Sequence, residues 1–491
     1  MITEAIANVL ALDVLILIII GVIWGLIFGM IPGLTATLAV IVLIPITYSM
    51  DTLAAISMLT GVFIGGISGG VVAAVLIGMP GTPSSITTVF DGHPMAKKGL
   101  GSEALGVGIT SNLIGSLFGW LFLITLTPQI ADLALKIDSF GYAAIIIFGL
   151  VTVVSLSGES LLKGLLMAIF GLAITTIGID PINGVSRGTM GIDVLKNGLS
   201  FLPVMIGLLV ISQVFEEAKT LSDKFVIPKS SSSRVLMRLN EFKQSIKNFI
   251  RSSLIGLGLG ILPGIGGAIA NFVSYDQAKN SDSKPETFGK GNIQGIVASE
   301  TANNATIAGA FIPMLALGIP GDAVTAALLG GLELHGLKTG PLLMEENPLI
   351  VYSIFIAFVI AVIVMFLSMI LGARLFPIIL RIPKSYLLPL VMVASLVGVY
   401  NIKYSLMDVW VALIFGVLGY LFNKYNYPVI PIVISLILGE LLEKQIRMSL
   451  VESGGSLLPF ITHPISLIFL LASIASVIFS VRKLKNTRTE N

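Results

Sequence analysis

Cysteine is absent from the 491 residues. Disulfides, thiol catalysis and cysteine-held metals are thereby excluded. Histidine is nearly absent too: His93, His335 and His463 are the whole supply, which leaves no basis for a histidine-built metal centre. Charge is scarce. Asp, Glu, Lys and Arg make up 11% of the chain, against roughly 25% in soluble domains. A chain this long cannot cover a water-facing surface with so few charges, so a soluble enzyme is excluded. No Lys or Arg precedes Lys97, so the apolar stretch from Val9 to Met30 lacks the basic flank of a cleaved signal and reads as a spanning helix. The nucleotide-binding pattern Gly-x-x-x-x-Gly-Lys-[Ser/Thr] is missing, which argues against an ATP-driven pump and leaves an ion gradient as the energy source. Net charge is +2 with no basic stripe, and nucleic-acid binding has no support.

What fills the chain instead is apolar. Hydrophobic residues reach 55%. Long apolar segments fall near 8–30, 35–50, 53–79, 103–130, 140–157, 160–178, 200–215, 249–275, 305–333, 349–373, 386–422 (read as two helices), 428–442 and 464–481. These predict an all-α integral membrane protein with about 12 transmembrane helices. Segments 35–50 and 200–215 are short, and 52 Gly and 22 Pro interrupt the runs, so some helices are expected to be re-entrant or broken. One stretch is clearly hydrophilic. Residues 216–251 hold eight Lys/Arg against four acids and the serine run Ser230–Ser233. The positive-inside rule places this linker, and the basic tail with Arg482, Lys483, Lys485 and Arg488, in the cytoplasm.

The two sides of the linker resemble each other. Gly29-Met30-Ile31-Pro32-Gly33 returns as Gly260-Ile261-Leu262-Pro263-Gly264, and Gly78-Met79-Pro80-Gly81 as Gly318-Ile319-Pro320-Gly321. Ser160-Leu161 returns as Ser405-Leu406, and Leu202-Pro203-Val204 as Ile430-Pro431-Ile432. Four matches in one order predict a duplication: repeat one at 1–222, a cytoplasmic linker at 223–247, repeat two at 248–455, and an extra helix with its tail at 456–491. With linker and tail on one side, each repeat crosses an odd number of times and the two are inverted, a recurrent plan of secondary transporters.

The motifs that could carry chemistry sit at these matches. Pro removes a helix hydrogen bond and Gly admits positive φ, so each Pro-Gly break starts a new helix with a partly positive N-terminus. Gly33, Thr35 and Thr37 follow the first break; Gly264, Gly266, Asn271 and Ser274 follow its copy. Gly81, Thr82, Ser84 and Ser85 form a second cluster of small donors, matched by Gly321 and Asp322. Helix starts of this kind can hold carboxylates without a buried cation. In Ala298-Ser299-Glu300-Thr301-Ala302-Asn303-Asn304-Ala305, just ahead of an apolar segment, Asn303 and Asn304 offer donors and acceptors. Glu300, Asn303 and Asp322 are candidate ligands of a coupling ion. The segments Asp91–Gly99 and Leu334–Pro341 read as surface loops closing hairpins. No cofactor and no catalytic residue is expected.

The stretches at 25–40, 77–99, 260–279, 288–305 and 317–336 resemble the large membrane subunit of the tripartite tricarboxylate transporters. That resemblance implies uptake of a tri- or dicarboxylate across a bacterial inner membrane, driven by Na⁺ or H⁺. It also implies two partners besides membrane lipid: a periplasmic solute-binding protein that delivers the substrate and a small membrane subunit of about four spans. Gly78 stands where many members carry a polar residue, and Asp322 where a small one is expected. The alternatives are a permease for another small solute that needs no binding protein, and a membrane-embedded enzyme acting on lipid.

Overall fold

The computed structural model describes residues 1–156, 160–180, 183–220, 227–228, 234–264 and 266–489. Lys224, Lys229 and the Ser230–Ser233 run of the linker lie outside them. A short leading helix α1 (Ile2–Val9) precedes α2 (Leu12–Met30), α3 (Ala36–Thr47), α4 (Thr52–Leu76), α5 (Ile86–Lys97), α6 (Gly101–Ala134), α7 (Ser139–Leu156) and α8 (Leu161–Thr175). Helix α9 runs from Phe201–Met205 through a π-helical stretch Ile206–Ile211 into Ser212–Glu217. After the linker come α10 (Leu239–Ile261), α11 (Gly266–Asn280), α12 (Ile293–Leu317), α13 (Ala323–Leu334), α14 (Pro348–Gly372), α15 (Lys384–Lys403), α16 (Leu406–Lys424), α17 (Ile430–Glu452) and α18 (Pro464–Thr489). The single departure from all-helix among the described residues is a two-residue antiparallel ribbon, Gly178–Ile179 with Ser186–Arg187.

Two helix pairs organise the interior, and glycine sets their distance. Gly21, Gly25 and Gly29 of α2 lie against the carbonyls of Met58, Val62 and Gly66 of α4, where a Cβ would collide with each. Gly61, Gly65 and Gly69 of α4 return the contact to Ile18, Val22 and Leu26. Spacing of four residues puts each set on one helix face, so the backbones meet without side chains between them. On the other side of the linker, Gly256 and Gly260 of α10 lie against Ala302 and Thr306 of α12, and Gly309 lies against Leu257. In both pairs the contact numbers rise together, so the two helices run parallel. The short helix between them must therefore carry the chain back. Helix α3 has 12 residues, about 18 Å at 1.5 Å per residue, well short of the ~30 Å hydrocarbon core. Helix α11, with 15 residues, does the same in the second pair.

The interruptions fall at Gly33, Gly78, Gly264 and Gly318, all with positive φ. The element order long helix, break, short helix, long helix, break, short helix occurs on both sides of the linker. Among the described residues seven helices are long and apolar enough to cross a membrane: α2, α4, α6, α14, α15, α16 and α18. The shortfall from about twelve has a physical cause. Helices α3, α7, α8 and α13 are apolar but short, and α12 buries Glu300, Asn303 and Asn304 within its length. Segments 249–275 and 305–333 are each split by a break rather than continuous.

Gly25→Ala is expected to lower the thermal stability of the detergent-solubilised protein by the equivalent of about 1–3 kcal/mol, because its Cβ meets the Val62 carbonyl. Gly258→Ala, with nothing within 4 Å of the added carbon, is expected to change it by less than about 0.5 kcal/mol. Melting curves read by size-exclusion fluorescence check both.

Candidate functional site

Four helix N-termini line one cavity of about 510 Å³. Thr35, Ala36, Thr37 and Leu38 come from the start of α3; Thr82, Pro83 and Ser84 from the turn that opens α5; Gly264, Gly266, Gly267 and Ala268 from the start of α11; Asp322, Ala323 and Val324 from the start of α13. The volume is within the range of small-molecule sites, roughly 300–1,000 Å³. Three of the four starts, those of α3, α5 and α13, are held by polar caps. Thr35 accepts from Leu38 N at 3.2 Å. Thr82 and Ser85 form a reciprocal box, with Ser85 donating to Thr82 O at 2.9 Å and Thr82 N donating to Ser85 Oγ at 3.2 Å. Asp322 and Thr325 form the matching box: Thr325 N donates to Asp322 Oδ1 at 2.8 Å, and Asp322 N donates to Thr325 Oγ1 at 2.9 Å. Caps of this type fix the first turn and leave the remaining free N–H groups aimed outward.

The breaks also lock to one another. Gly264 N donates to Gly321 O at 2.8 Å. Gly81 lies against Gly29 and Gly70, and Gly321 against Gly260 and Ala310, so the same arrangement is built twice. The far ends of the four short helices part in two directions. The C-terminal ends of α3 and α13 meet, with His335 Nε2 3.4 Å from Thr47 Oγ1. Those of α5 and α11 meet elsewhere, where Tyr275 donates to Asp91 at 2.8 Å and Gly291 N and Asn292 N donate to the other Asp91 oxygen at 2.8 and 2.7 Å.

Of the residues named from the sequence, Thr35, Thr37, Thr82, Ser84, Gly264, Gly266 and Asp322 face the cavity. Gly33, Gly81, Ser85 and Gly321 shape the breaks behind it. Gly33 has a carboxylate where its Cβ would be, that of Glu217. Among the described residues the cavity wall holds no Lys, Arg or His, and its single charge is Asp322.

The Ala298–Ala305 segment does not precede a helix. It lies inside α12, which begins at Ile293 behind the Asn292 cap, and Ser299, Glu300, Thr301, Asn303 and Asn304 are fully buried. The two asparagines separate because adjacent helix positions point about 100° apart. Asn304 is spent on structure: it accepts from Ser68 at 2.7 Å and Ser116 at 3.3 Å, and donates to Asn112 at 2.7 Å. Asn303 faces α11, its Oδ1 3.0 Å from where a Gly267 Cβ would be. Glu300 accepts from Thr88 of α5 at 2.5 Å. Asp322 is not with them. Gly321 packs on Ala310, ten residues along α12 from Glu300, about 15 Å of helix. The Asp91–Gly99 segment is likewise not a loop. Its first seven residues belong to α5, and Asp91 is wholly buried, tying α5 to the start of α12.

Two groups were not legible beforehand. Gln213 of α9 donates to Gly33 O at 3.1 Å and to Glu217 at 3.1 Å, and Glu217 pairs with Lys384 at 2.6 Å. This chain braces the first break from outside; Glu217 reads in sequence as one more linker acid. Asp180, Arg187, Glu443 and Arg447 form an ion cluster joining the ribbon to α17, with bonds of 2.6 to 2.9 Å. Each contains an i,i+4 pair, Gln213 with Glu217 and Glu443 with Arg447, but the contacts to Gly33, Lys384, Asp180 and Arg187 join residues far apart in sequence.

Residues 15–434 match the family model of the tripartite tricarboxylate transporter TctA family. The chain belongs to that family. An Agrobacterium vitis protein described as an uncharacterized 52.8 kDa protein in the TAR-I ttuC' 3' region is 33% identical over 447 residues, 91% of this chain and 88% of its own length. A second protein of that organism, described as uncharacterized and in the TAR-II ttuC' 3' region, is 32% identical over 223 residues, 45% of this chain and 92% of its own length. No solved structure matches the chain. Membership makes it a component of a tricarboxylate transporter system and a multi-pass membrane protein.

Asn304→Leu is expected to cost about 1–3 kcal/mol, because it strands the buried Asn112 and Ser68 groups. Asn303→Leu, which leaves the Asn112, Ser68 and Ser116 groups paired with Asn304, is expected to cost less than Asn304→Leu. Thermal melts of the two purified variants check the contrast.

Proposed function

We propose that this chain is the substrate-translocating subunit of an ion-coupled importer, carrying a tri- or dicarboxylate that a periplasmic solute-binding protein delivers. One observation carries the reading: four helix N-termini converge on one cavity whose wall holds no cationic side chain. Each N-terminus supplies free N–H groups and a partial positive charge of about +0.5. Two or three carboxylates can each find a helix start, and Thr35, Thr37, Thr82 and Ser84 add hydroxyl donors. Binding by dipoles suits a carrier better than binding by Lys or Arg. A full buried cation would need a partner of its own once the substrate had left, whereas a capped helix start does not.

The matching order of broken helices, with the short helices ending in opposite pairs, supports two repeats inverted relative to each other. In that plan the cavity sits at the repeat interface and is exposed alternately to each side as one part moves against the other. The inner membrane, a small membrane subunit and coupling to a Na⁺ or H⁺ gradient follow from the same reading.

Uptake of radiolabelled tri- and dicarboxylates into inner-membrane vesicles, with purified binding protein and an imposed Na⁺ or pH gradient, tests it. Accumulation that needs both the gradient and the binding protein is expected; no carboxylate uptake in any combination overturns the proposal. Thr82→Val is expected to reduce uptake at least about tenfold by removing the hydroxyl that lines the cavity and bonds Ser84 at 3.1 Å. Asp322→Ser keeps an oxygen at the cap and removes the single negative charge from the wall. Competition assays are expected to show it favouring tricarboxylates over dicarboxylates more strongly than the parent does.

A further inference from the structure

Behind the carboxylate cavity lies a second set of polar atoms that the binding of an anion does not use. Glu300 Oε2, both polar atoms of the Asn303 side chain, and Asn271 Oδ1 are buried and make no hydrogen bond of good geometry among the described residues, although the Asn303 side chain lies within reach of the Glu300 carboxylate. All three side chains are at most 1% exposed. Such groups are costly to leave unmet in a dry interior.

They converge. Gly267 of α11 lies beside Asn303 and Ser84, and Ser274 two turns later donates to Ala298 O at 3.0 Å. Asn271, on the same face between them, is held against α12 at the level of Glu300 and Asn303. Its amide nitrogen donates to the Ser84 carbonyl. Thr88, four residues after Ser84 and one turn along α5, donates to Glu300 Oε1. Three helices thus bring one carboxylate, two amide oxygens, a carbonyl and a hydroxyl around one buried point.

We propose that Glu300, Asn303, Asn271, Thr88 and Ser84 form a binding site for a single dehydrated sodium ion, the coupling ion of the transporter reading above, on which this inference rests. Every donor is a hard oxygen, as a hard cation requires. Asn303 and Asn271 can turn their amide oxygens inward, and the Thr88 hydroxyl keeps lone pairs after donating. The charge count selects a monovalent ion. Glu300 supplies one negative charge, and no group of three or more His, Cys, Asp or Glu that could hold a metal exists among the described residues. A divalent ion would leave an uncompensated positive charge in the interior.

The other half of the chain shows that this set is not a by-product of duplication. Gly29 and Gly260 occupy corresponding places, as do Gly70 and Ala310, and Gly81 and Gly321. Through those correspondences Asn271 maps to Val40, Glu300 to Thr60, Asn303 to Phe63, Ser84 to Val324 and Thr88 to Leu328. Val40, Phe63, Val324 and Leu328 are buried and apolar, and Thr60 spends its hydroxyl on Ile56 O at 2.8 Å. The side-chain ligands are present on one side only, so the proposed site holds one ion per protomer.

The site also explains coupling. Ser84, Gly266 and Ala268 line the carboxylate cavity; Ser84 also presents its carbonyl to the sodium site beside Asn271, and Gly267 lies against Asn303. An ion that ties α5 and α11 to α12 fixes two of the four helix starts. Linkage then requires that sodium tighten carboxylate binding and carboxylate tighten sodium binding by the same factor.

The test uses the purified full-length protein in detergent, titrated with NaCl in a choline chloride background of constant ionic strength. Thermal stability and ²²Na⁺ binding by scintillation proximity are read in parallel. A saturable response to Na⁺, absent with K⁺, is expected. Glu300→Gln and Asn271→Ala are expected to weaken sodium at least about tenfold, the loss that even outer-shell changes cause at metal sites, while Asn271→Asp, which keeps the oxygen, binds within a few-fold of the parent. If Glu300→Gln fails to fold, the Asn271 pair decides. No sodium-specific response in the parent, or unchanged affinity in both weakening variants, overturns the site. Carboxylate uptake driven by a pH gradient and indifferent to sodium also overturns it and leaves the transporter reading standing. Sodium binding lost in the variants, with no carboxylate uptake under any condition, upholds the site and removes the transporter reading instead.

Discussion

A helix interrupted inside a membrane protein frees backbone groups that no water can satisfy. The architecture of this chain follows from that constraint. At Gly33, Gly78, Gly264 and Gly318 the helices stop, and each stop is tolerable because another piece of the chain meets it. Gly264 binds Gly321, Thr82 and Asp322 cap the helices that follow, and Gln213 satisfies the Gly33 carbonyl. Such close meetings require backbones in contact. The glycine stripes of α2 on α4 and of α10 on α12 bring this about by removing the side chains that would otherwise separate the helices.

The same constraint produces the chemistry. A cap satisfies one or two of the freed donors at a helix start, and the rest point away from the helix. With four starts facing one cavity, those remaining donors are what the proposed carboxylate site would use. The scarcity of charge in the chain is consistent with this. The cavity wall presents helix starts and hydroxyls, and several of the few full charges serve as braces. Glu217 with Lys384, and Asp180 and Glu443 with Arg187 and Arg447, pin elements at the edges of the helical core.

The buried carboxylate Glu300 stands apart from that economy. It accepts a hydrogen bond from Thr88 and lies within reach of Asn303, and its second oxygen, like the amide oxygens of Asn303 and Asn271, makes no hydrogen bond of good geometry among the described residues. A polar cluster of this kind is unstable by itself and stable with a cation in it. Its position behind the cavity would give the proposed ion and the proposed substrate a shared wall, the physical requirement for one to move with the other.

Much of this was legible in the sequence, because Pro-Gly pairs act locally. They break a helix wherever they occur, so the four breaks, the polar residues after them and the matching order across the linker could be read from the residues. Composition alone placed the chain in a membrane. Tertiary structure decided the rest. Whether Asn303 or Asn304 is available depends on which neighbour each meets, and Ser68 and Asn112 claimed Asn304 from helices far away in sequence. Asp322 and Glu300 look alike as isolated acids, yet one caps α13 and the other is sealed inside α12. The start of α12 lay hidden because its first turns carry no apolar run. Local patterns determine where a backbone must bend; only packing determines which polar atoms are left with something to bind.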